Sequence, residues 1–123
     1  MLVVSGRIQA GWGRGKRLGF PTINLPVPGN VTANQWGVYF SLTTVRRAVY
    51  PSLTHLGPPK TFGLRKATCE TYVLSKSEIV SDTSIRVRLL EKLRNIEKFK
   101  TAADLKRQIA KDVNAARIYF GLK

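Results

Sequence analysis

The sequence has few of the residues on which disulfide-bonded, zinc-binding and membrane proteins depend. Its single cysteine, Cys69, cannot form an internal disulfide, which favours a reducing, cytoplasmic location. His55 is the only histidine, so a zinc site lacks ligands and a structural role in a strand is favoured for this residue. No apolar run approaches the roughly 18 to 20 residues that span a bilayer. We therefore expect a soluble protein with no membrane partner.

Acidic residues are also scarce. The chain has 7 Asp and Glu against 21 Lys and Arg, a formal net charge of +14. In the first 77 residues, ten basic residues accompany one carboxylate, that of Glu70. This excess favours an anionic partner such as a nucleotide, a nucleic acid or an acidic lipid, without choosing among them. A lone acid among cations often forms a salt bridge, so pairing of Glu70 with Lys66 or Arg65 stands beside a catalytic role.

The length and the alternation of side chains predict a mainly-β fold. The 123 residues, 43% of them apolar, can form one hydrophobic core, and we expect a single domain over residues 1–123. Arg46 and Arg47 are expected to form a hairpin turn. In the strand around Glu70, a period of two separates Glu70 and Tyr72 from Cys69. Strands are predicted at residues 3–10, 36–45, 48–56, 67–74 and 85–93.

One helix is predicted at the end of the chain. Thr101 and Asp104 have the spacing of a helix cap, and Gly121 is a typical stop. Apolar residues recur between them at helical spacing: Leu105, Ile109, Val113, Ala116 and Phe120. Together, the elements predict a small closed antiparallel Greek-key barrel of about six strands with one C-terminal α-helix.

A glycine-rich stretch, residues 11–25, carries the strongest chemical signal. Gly11, Gly13 and Gly15 leave backbone N–H groups free to approach a phosphate, and Lys16 follows as a cation. The same glycine spacing is also common in ordinary turns.

Two oxygen donors follow the glycines. Thr22 and Asn24 stand two residues apart, so an extended chain directs both side chains to one face. Their hydroxyl and amide oxygens are hard ligands of the kind Mg²⁺ prefers. A nucleotide with its metal is therefore the first hypothesis.

With these residues in view, the chain resembles the riboflavin kinases. This family phosphorylates riboflavin to FMN, alone or as one half of bacterial bifunctional FAD synthetases. The resemblance covers nearly the whole chain and rests on an ordered set of matches at residues 6–8, 13–25, 36–39, 60–62, 70–72, 93–94, 98–99 and 112–117.

The resemblance implies a Mg²⁺-dependent transfer of phosphate from ATP to riboflavin. It implies that Glu70 is the catalytic general base and that Thr22 and Asn24 bind both the nucleotide and Mg²⁺. A flap over the nucleotide would contain Gly11, Gly13 and Lys16, and the flavin would contact Arg94 and Phe99. The expected partners are small molecules, and we expect a monomer.

Some positions depart from the family pattern. His55 and Lys60 stand where the family usually has Asn and Pro, and residues 78–82 replace the family's turn after the catalytic strand. The adenylyltransferase half of the bifunctional enzymes uses a histidine-rich motif that this chain lacks, so FAD synthesis is not expected. Two alternatives remain open: a basic barrel that binds RNA or ribosomes, and a degenerate barrel that holds flavin without transferring phosphate.

Overall fold

A computed structural model describes residues 2–7, 22–58, 67–75 and 84–122. It contains six antiparallel strands in a nearly closed barrel and one C-terminal helix, which confirms the predicted fold. The strand order is β1-β6-β3-β4-β5-β2. The strands are β1 (Val3–Arg7), β2 (Ile23–Leu25), β3 (Gly37–Val45), β4 (Ala48–Gly57), β5 (Thr68–Val73) and β6 (Ser84–Arg94), and the helix is α1 (Ala102–Tyr119).

The strand order has a Greek-key arrangement. Strands β3, β4 and β5 are successive neighbours, and β6 returns to pair with β3, as the Greek key requires. Near the ends of the sheet, β1 approaches the chain that leaves β2. A Cβ atom at Gly6 would lie only 2.9 Å from Cγ of Pro26, so glycine is needed for this approach. Strand β2 has only three residues and was not among the predicted strands.

The barrel interior combines an apolar core with a buried thiol. Burial raises the pKa of Cys69 to about 12; a hydrogen bond with Thr71 lowers it and the nearby charge of Glu70 raises it. The thiol is therefore protonated near neutral pH and has little nucleophilic character. The buried apolar residues around it are Val4, Leu25, Leu56, Ile85, Val87 and Leu89.

A chain of hydroxyl groups also lies inside the barrel, fully buried. The Thr43 hydroxyl donates to Ser52 at 2.8 Å, and Ser52 is 2.7 Å from the Ser41 hydroxyl. Ser41 is bonded in turn to Thr54 at 2.7 Å, and Thr54 to Thr71 at 2.8 Å. Each hydroxyl is thus hydrogen-bonded, so these polar groups are accommodated in a dry interior.

Helix α1 covers part of the outer wall. Its N-terminus is capped as predicted, because the backbone N–H of Asp104 donates to the Thr101 hydroxyl at 3.0 Å. At its C-terminus the ring of Tyr119 stacks on Phe40 of β3 with centroids 4.1 Å apart. Buried side chains of the helix and the wall form a second cluster: Val38, Phe40, Leu53, Leu74 and Ala116. Within the described residues, α1 is too polar to span a membrane.

The turn between β3 and β4 is strained at one residue. Val45 pairs with Ala48, and Arg46 between them has a φ of 56°, a left-handed conformation that disfavours any residue with a Cβ.

We expect Arg46→Gly to raise the free energy of unfolding by about 0.5 to 1 kcal/mol, measured by urea denaturation. Arg47→Gly, which relieves no left-handed strain, is the control and should not stabilise. Equal effects of the two changes would contradict the assignment of strain to Arg46.

Candidate active site

Strand pairing brings three polar side chains together on the outer wall of the barrel. Glu70 of β5 lies directly opposite Asn24 of β2 on one side and His55 of β4 on the other. Residues paired in this way face the same side of the sheet with Cβ atoms about 5 Å apart. Because Cys69 and Thr71 occupy the interior, Glu70 faces outward. The predicted alternation along β5 is confirmed.

The row continues across two further strands. His55 pairs with Val38 of β3, and Val38 pairs with Arg94 of β6. Neighbouring strands are about 4.8 Å apart, so Glu70 lies one strand from Asn24 and three strands from Arg94, about 14 Å along the curved wall. The expected metal side and flavin side of the site therefore lie at opposite ends of one row, with Glu70 between them.

The Asn24 end of the row has the donors expected for a metal. Thr22 immediately precedes β2, and both Thr22 and Asn24 are half-buried. A hydroxyl, an amide and the carboxylate of Glu70 are hard oxygen donors that fit Mg²⁺. Within the described residues, Glu70 forms no salt bridge. The alternative partners proposed for it, Lys66 and Arg65, lie outside those residues.

At the other end of the row, Arg94 is held by a carboxylate of the helix. Its Nε donates to Oδ1 and Oδ2 of Asp112 at 3.0 and 3.1 Å, and its Nη2 donates to Oδ2 at 2.7 Å. Gln108 donates to Oδ1 of Asp112 at 2.9 Å, and Nη1 of Arg94 donates to the carbonyl of Asn95 at 3.0 Å. The guanidinium lies 6.0 Å from the ring centroid of Phe99. Arg94 thus fixes α1 and the start of the following loop to β6.

No side-chain partner was predicted from the sequence for Asp112 or for His55. Asp112 is 4% exposed, although its position in the sequence, beside the apolar stripe at Val113, could have suggested a buried ion pair. His55 is 8% exposed in β4, in agreement with the interpretation as a strand residue. Its position opposite Glu70 depends on strand pairing and has no local signal in the sequence.

The remaining predicted site residues lie outside the described part of the chain. These are Gly11, Gly13 and Lys16 of the predicted flap. Two of the three departures from the family pattern, Lys60 and residues 78–82, lie outside it as well. The structure therefore brings together Asn24, Glu70 and His55 at one end of the row and places Arg94 at the other.

Comparison with known proteins identifies the family. The family described as flavokinase, or riboflavin kinase, matches residues 1–120. The chain belongs to the riboflavin kinase family. This result confirms the resemblance found in the sequence.

Two relatives are named as bifunctional riboflavin kinase/FMN adenylyltransferases. The protein of Escherichia coli strain K12 is 32% identical over 120 residues, 97% of this chain and 38% of its own length. The protein of Buchnera aphidicola is 30% identical over 122 residues, 97% of this chain and 39% of its own. The chain thus spans well under half the length of these relatives.

Solved structures share the fold. A riboflavin kinase from Trypanosoma brucei matches with a TM-score of 0.62 and 22% identity, covering 97% of this chain and 79% of that one. A macrolide-efflux protein from Streptococcus pneumoniae matches with a TM-score of 0.79 and 25% identity, covering 94% of this chain and 38% of that one. The barrel with its C-terminal helix is therefore a known architecture.

The ion pair at the end of the row should matter for stability. Because Asp112 is buried, Asp112→Ala leaves the Arg94 guanidinium without its carboxylate, and we expect a loss of about 3 kcal/mol in the free energy of unfolding, measured by urea denaturation. Asp104→Ala is the matched control. Asp104 pairs with Arg107 at the surface, where such a pair contributes less than about 1 kcal/mol. Similar losses of unfolding free energy in the two variants would show that the buried pair stabilises the fold no more than the surface pair does.

Proposed function

We propose that this domain transfers the γ-phosphoryl group of ATP to the 5′-hydroxyl of riboflavin, forming FMN and ADP. The observation that carries the proposal is the pairing of Asn24 with Glu70 in a member of the riboflavin kinase family. This pairing sets an amide and a carboxylate side by side on the outer wall, and both groups carry oxygen atoms of the kind that Mg²⁺ prefers.

Glu70 acts as the general base in this proposal. It orients the ribityl 5′-hydroxyl and accepts its proton as the oxygen attacks the γ-phosphorus and ADP leaves. The location supports this role because Glu70 lies between the Asn24 end and the Arg94 end of the row. Its half-buried side chain leaves a surface on which a substrate can lie.

Thr22 and Asn24 are the proposed ligands of Mg²⁺. Both side chains supply neutral oxygen donors, so negative charge at the site would come from Glu70 and from ATP. When bound, Mg²⁺ neutralises charge on the phosphate oxygens. Asn24 is paired with Glu70 across β2 and β5, so a metal ion held by Asn24 would lie next to the carboxylate.

Arg94 and Phe99 are the proposed flavin contacts. The ion pair with Asp112 fixes the Arg94 guanidinium, and the nearby ring of Phe99 offers an aromatic surface for the isoalloxazine ring. Arg94 would thus act largely by fixing α1 and the loop that carries Phe99 relative to β6. Gly11, Gly13 and Lys16 complete the proposal as the nucleotide flap, a role that rests on the family resemblance.

The two alternative functions have less support. Membership of a kinase family favours phosphoryl transfer over binding of RNA as the primary role. A barrel that holds flavin without transferring phosphate does not need a carboxylate beside Asn24. Detection of FMN after incubation with riboflavin, ATP and Mg²⁺ separates the kinase from both alternatives.

The first kinetic prediction concerns Glu70. Glu70→Gln keeps the shape of the side chain and removes the base, so kcat for FMN formation should fall by about 10² to 10⁴-fold while the affinity for riboflavin changes little. Glu91→Gln is the control, because Glu91 is exposed on β6. Near-normal kcat in Glu70→Gln would remove Glu70 from the chemical step.

The second prediction concerns the metal. Asn24→Ala and Thr22→Ala each remove one oxygen donor, so the Mg²⁺ concentration giving half-maximal FMN formation should rise about tenfold or more. Asn30→Ala, in an exposed turn, should leave it unchanged. If the Mg²⁺ dependence of all three variants matches that of the unmodified chain, the ligand assignment is wrong.

A further inference from the structure

A second concave site lies on the wall across the barrel from Glu70. It is an open cleft of about 550 Å³ where β1, β6 and the β3–β4 turn meet. In the strand order, β6 and β5 are separated by β3 and β4, so this cleft lies away from Glu70. Arg94, the end of the row on β6, is eight residues beyond Arg86, about 26 Å along the strand. Two arginines and three hydroxyl groups supply its polar lining: Arg46, Arg86, Ser5, Thr44 and Ser84.

Strand pairing groups these side chains around one guanidinium. Arg86 of β6 pairs with Ser5 of β1 on one side and with Thr44 of β3 on the other. All three therefore face the same side, with Cβ atoms about 5 Å apart between neighbours. Ser84 is two residues before Arg86 on the same strand and shares this face. Arg46 projects from the turn that borders the cleft.

The arginines of the cleft form no salt bridge, and its hydroxyls form no side-chain hydrogen bond, with other described residues. The salt bridges in that part of the chain are Arg94–Asp112 and Arg107–Asp104, and neither arginine of the cleft takes part. The hydroxyls of Ser5, Thr44 and Ser84 likewise make no hydrogen bond to another described group. The hydroxyls inside the barrel, in contrast, are all bonded to one another.

Two further features distinguish the cleft from an ordinary basic surface. Arg46 occupies a left-handed position where glycine would be more stable. Backbone strain of this kind is often found at functional sites, which is consistent with a function for the Arg46 guanidinium at the border of the cleft. Arg7, paired with Ser84, and Arg88, two residues beyond Arg86, extend the positive charge along the same wall. Clustered like charges repel one another, so an anion that bound here would relieve the repulsion.

We propose that this cleft binds the phosphate group of a nucleotide, at a site separate from the candidate active site. Guanidinium groups bind phosphate oxygens in a bidentate fashion, and serine and threonine hydroxyls add donors. The volume falls in the range of small-molecule sites, so the cleft has room for more than a phosphate alone. The nucleotide can be free or part of a single strand, because both present the same phosphate ester.

The test is an NMR titration of the ¹⁵N-labelled chain. AMP serves as the free nucleotide and a 12-residue oligothymidylate as the strand, and the backbone amides of Thr44 and Arg86 report on the cleft. We expect saturable shifts of these amides with at least one probe. Saturation by AMP identifies a free nucleotide as the ligand, whereas saturation by the oligonucleotide alone identifies a strand.

Charge-matched variants complete the experiment. Arg86→Ala should weaken binding about tenfold or more, whereas Lys111→Ala, which removes the same charge from the exposed face of α1, should not. Arg86→Lys keeps the charge and loses the planar fork, so it should also weaken binding. FMN formation, measured in parallel, should be unchanged in Arg86→Ala, which separates this site from the proposed kinase activity. Absence of saturable shifts with both probes, or equal weakening by Arg86→Ala and Lys111→Ala, would overturn the proposal.

Discussion

The hydrogen bond between the buried hydroxyls of Thr54 and Thr71 holds β4 and β5 in register. A slip of one residue would exchange the two faces of β5. It would expose Cys69 and place the charge of Glu70 in a dry interior, at a high desolvation cost. The hydroxyl chain inside the barrel therefore does more than satisfy its own members. It determines which side chains stand beside Glu70 on the outer wall.

The helix imposes a second constraint, on the other end of the row. The Arg94–Asp112 pair joins β6 to α1, and the second apolar cluster, which contains Val38, lies between the helix and the wall. As a result, the row from Asn24 to Arg94 is covered near Val38, which is 3% exposed, whereas Glu70 is half-buried.

The features that depend on local sequence were predictable. Residues close together in the sequence determine each of them: the alternation along β5, the cap at Thr101 and the composition of the long strands. The neighbours of Glu70 depend instead on pairing between β2, β4 and β5, in which Asn24 and Glu70 are 46 positions apart in the sequence. A three-residue strand such as β2 is also too short to show a period. The spacing of Thr22 and Asn24 predicted a metal site independently of any family resemblance. The catalytic role of Glu70 came from the family resemblance, because composition left a salt bridge as its alternative.

The same alternation explains how one small barrel can hold two anion sites. The interior is filled by the apolar core and the hydroxyl chain, so residues that face outward can change without repacking it. Among the described acids, Glu91, Glu97, Asp104 and Asp112 lie toward the end of β6, in the loop after it and on α1. The described walls of β1, β3 and β4 carry none. Glu70 is thus the one described acid on the wall away from the helix end. The arginines of the cleft, which form no salt bridge with any described acid, lie across the barrel from it.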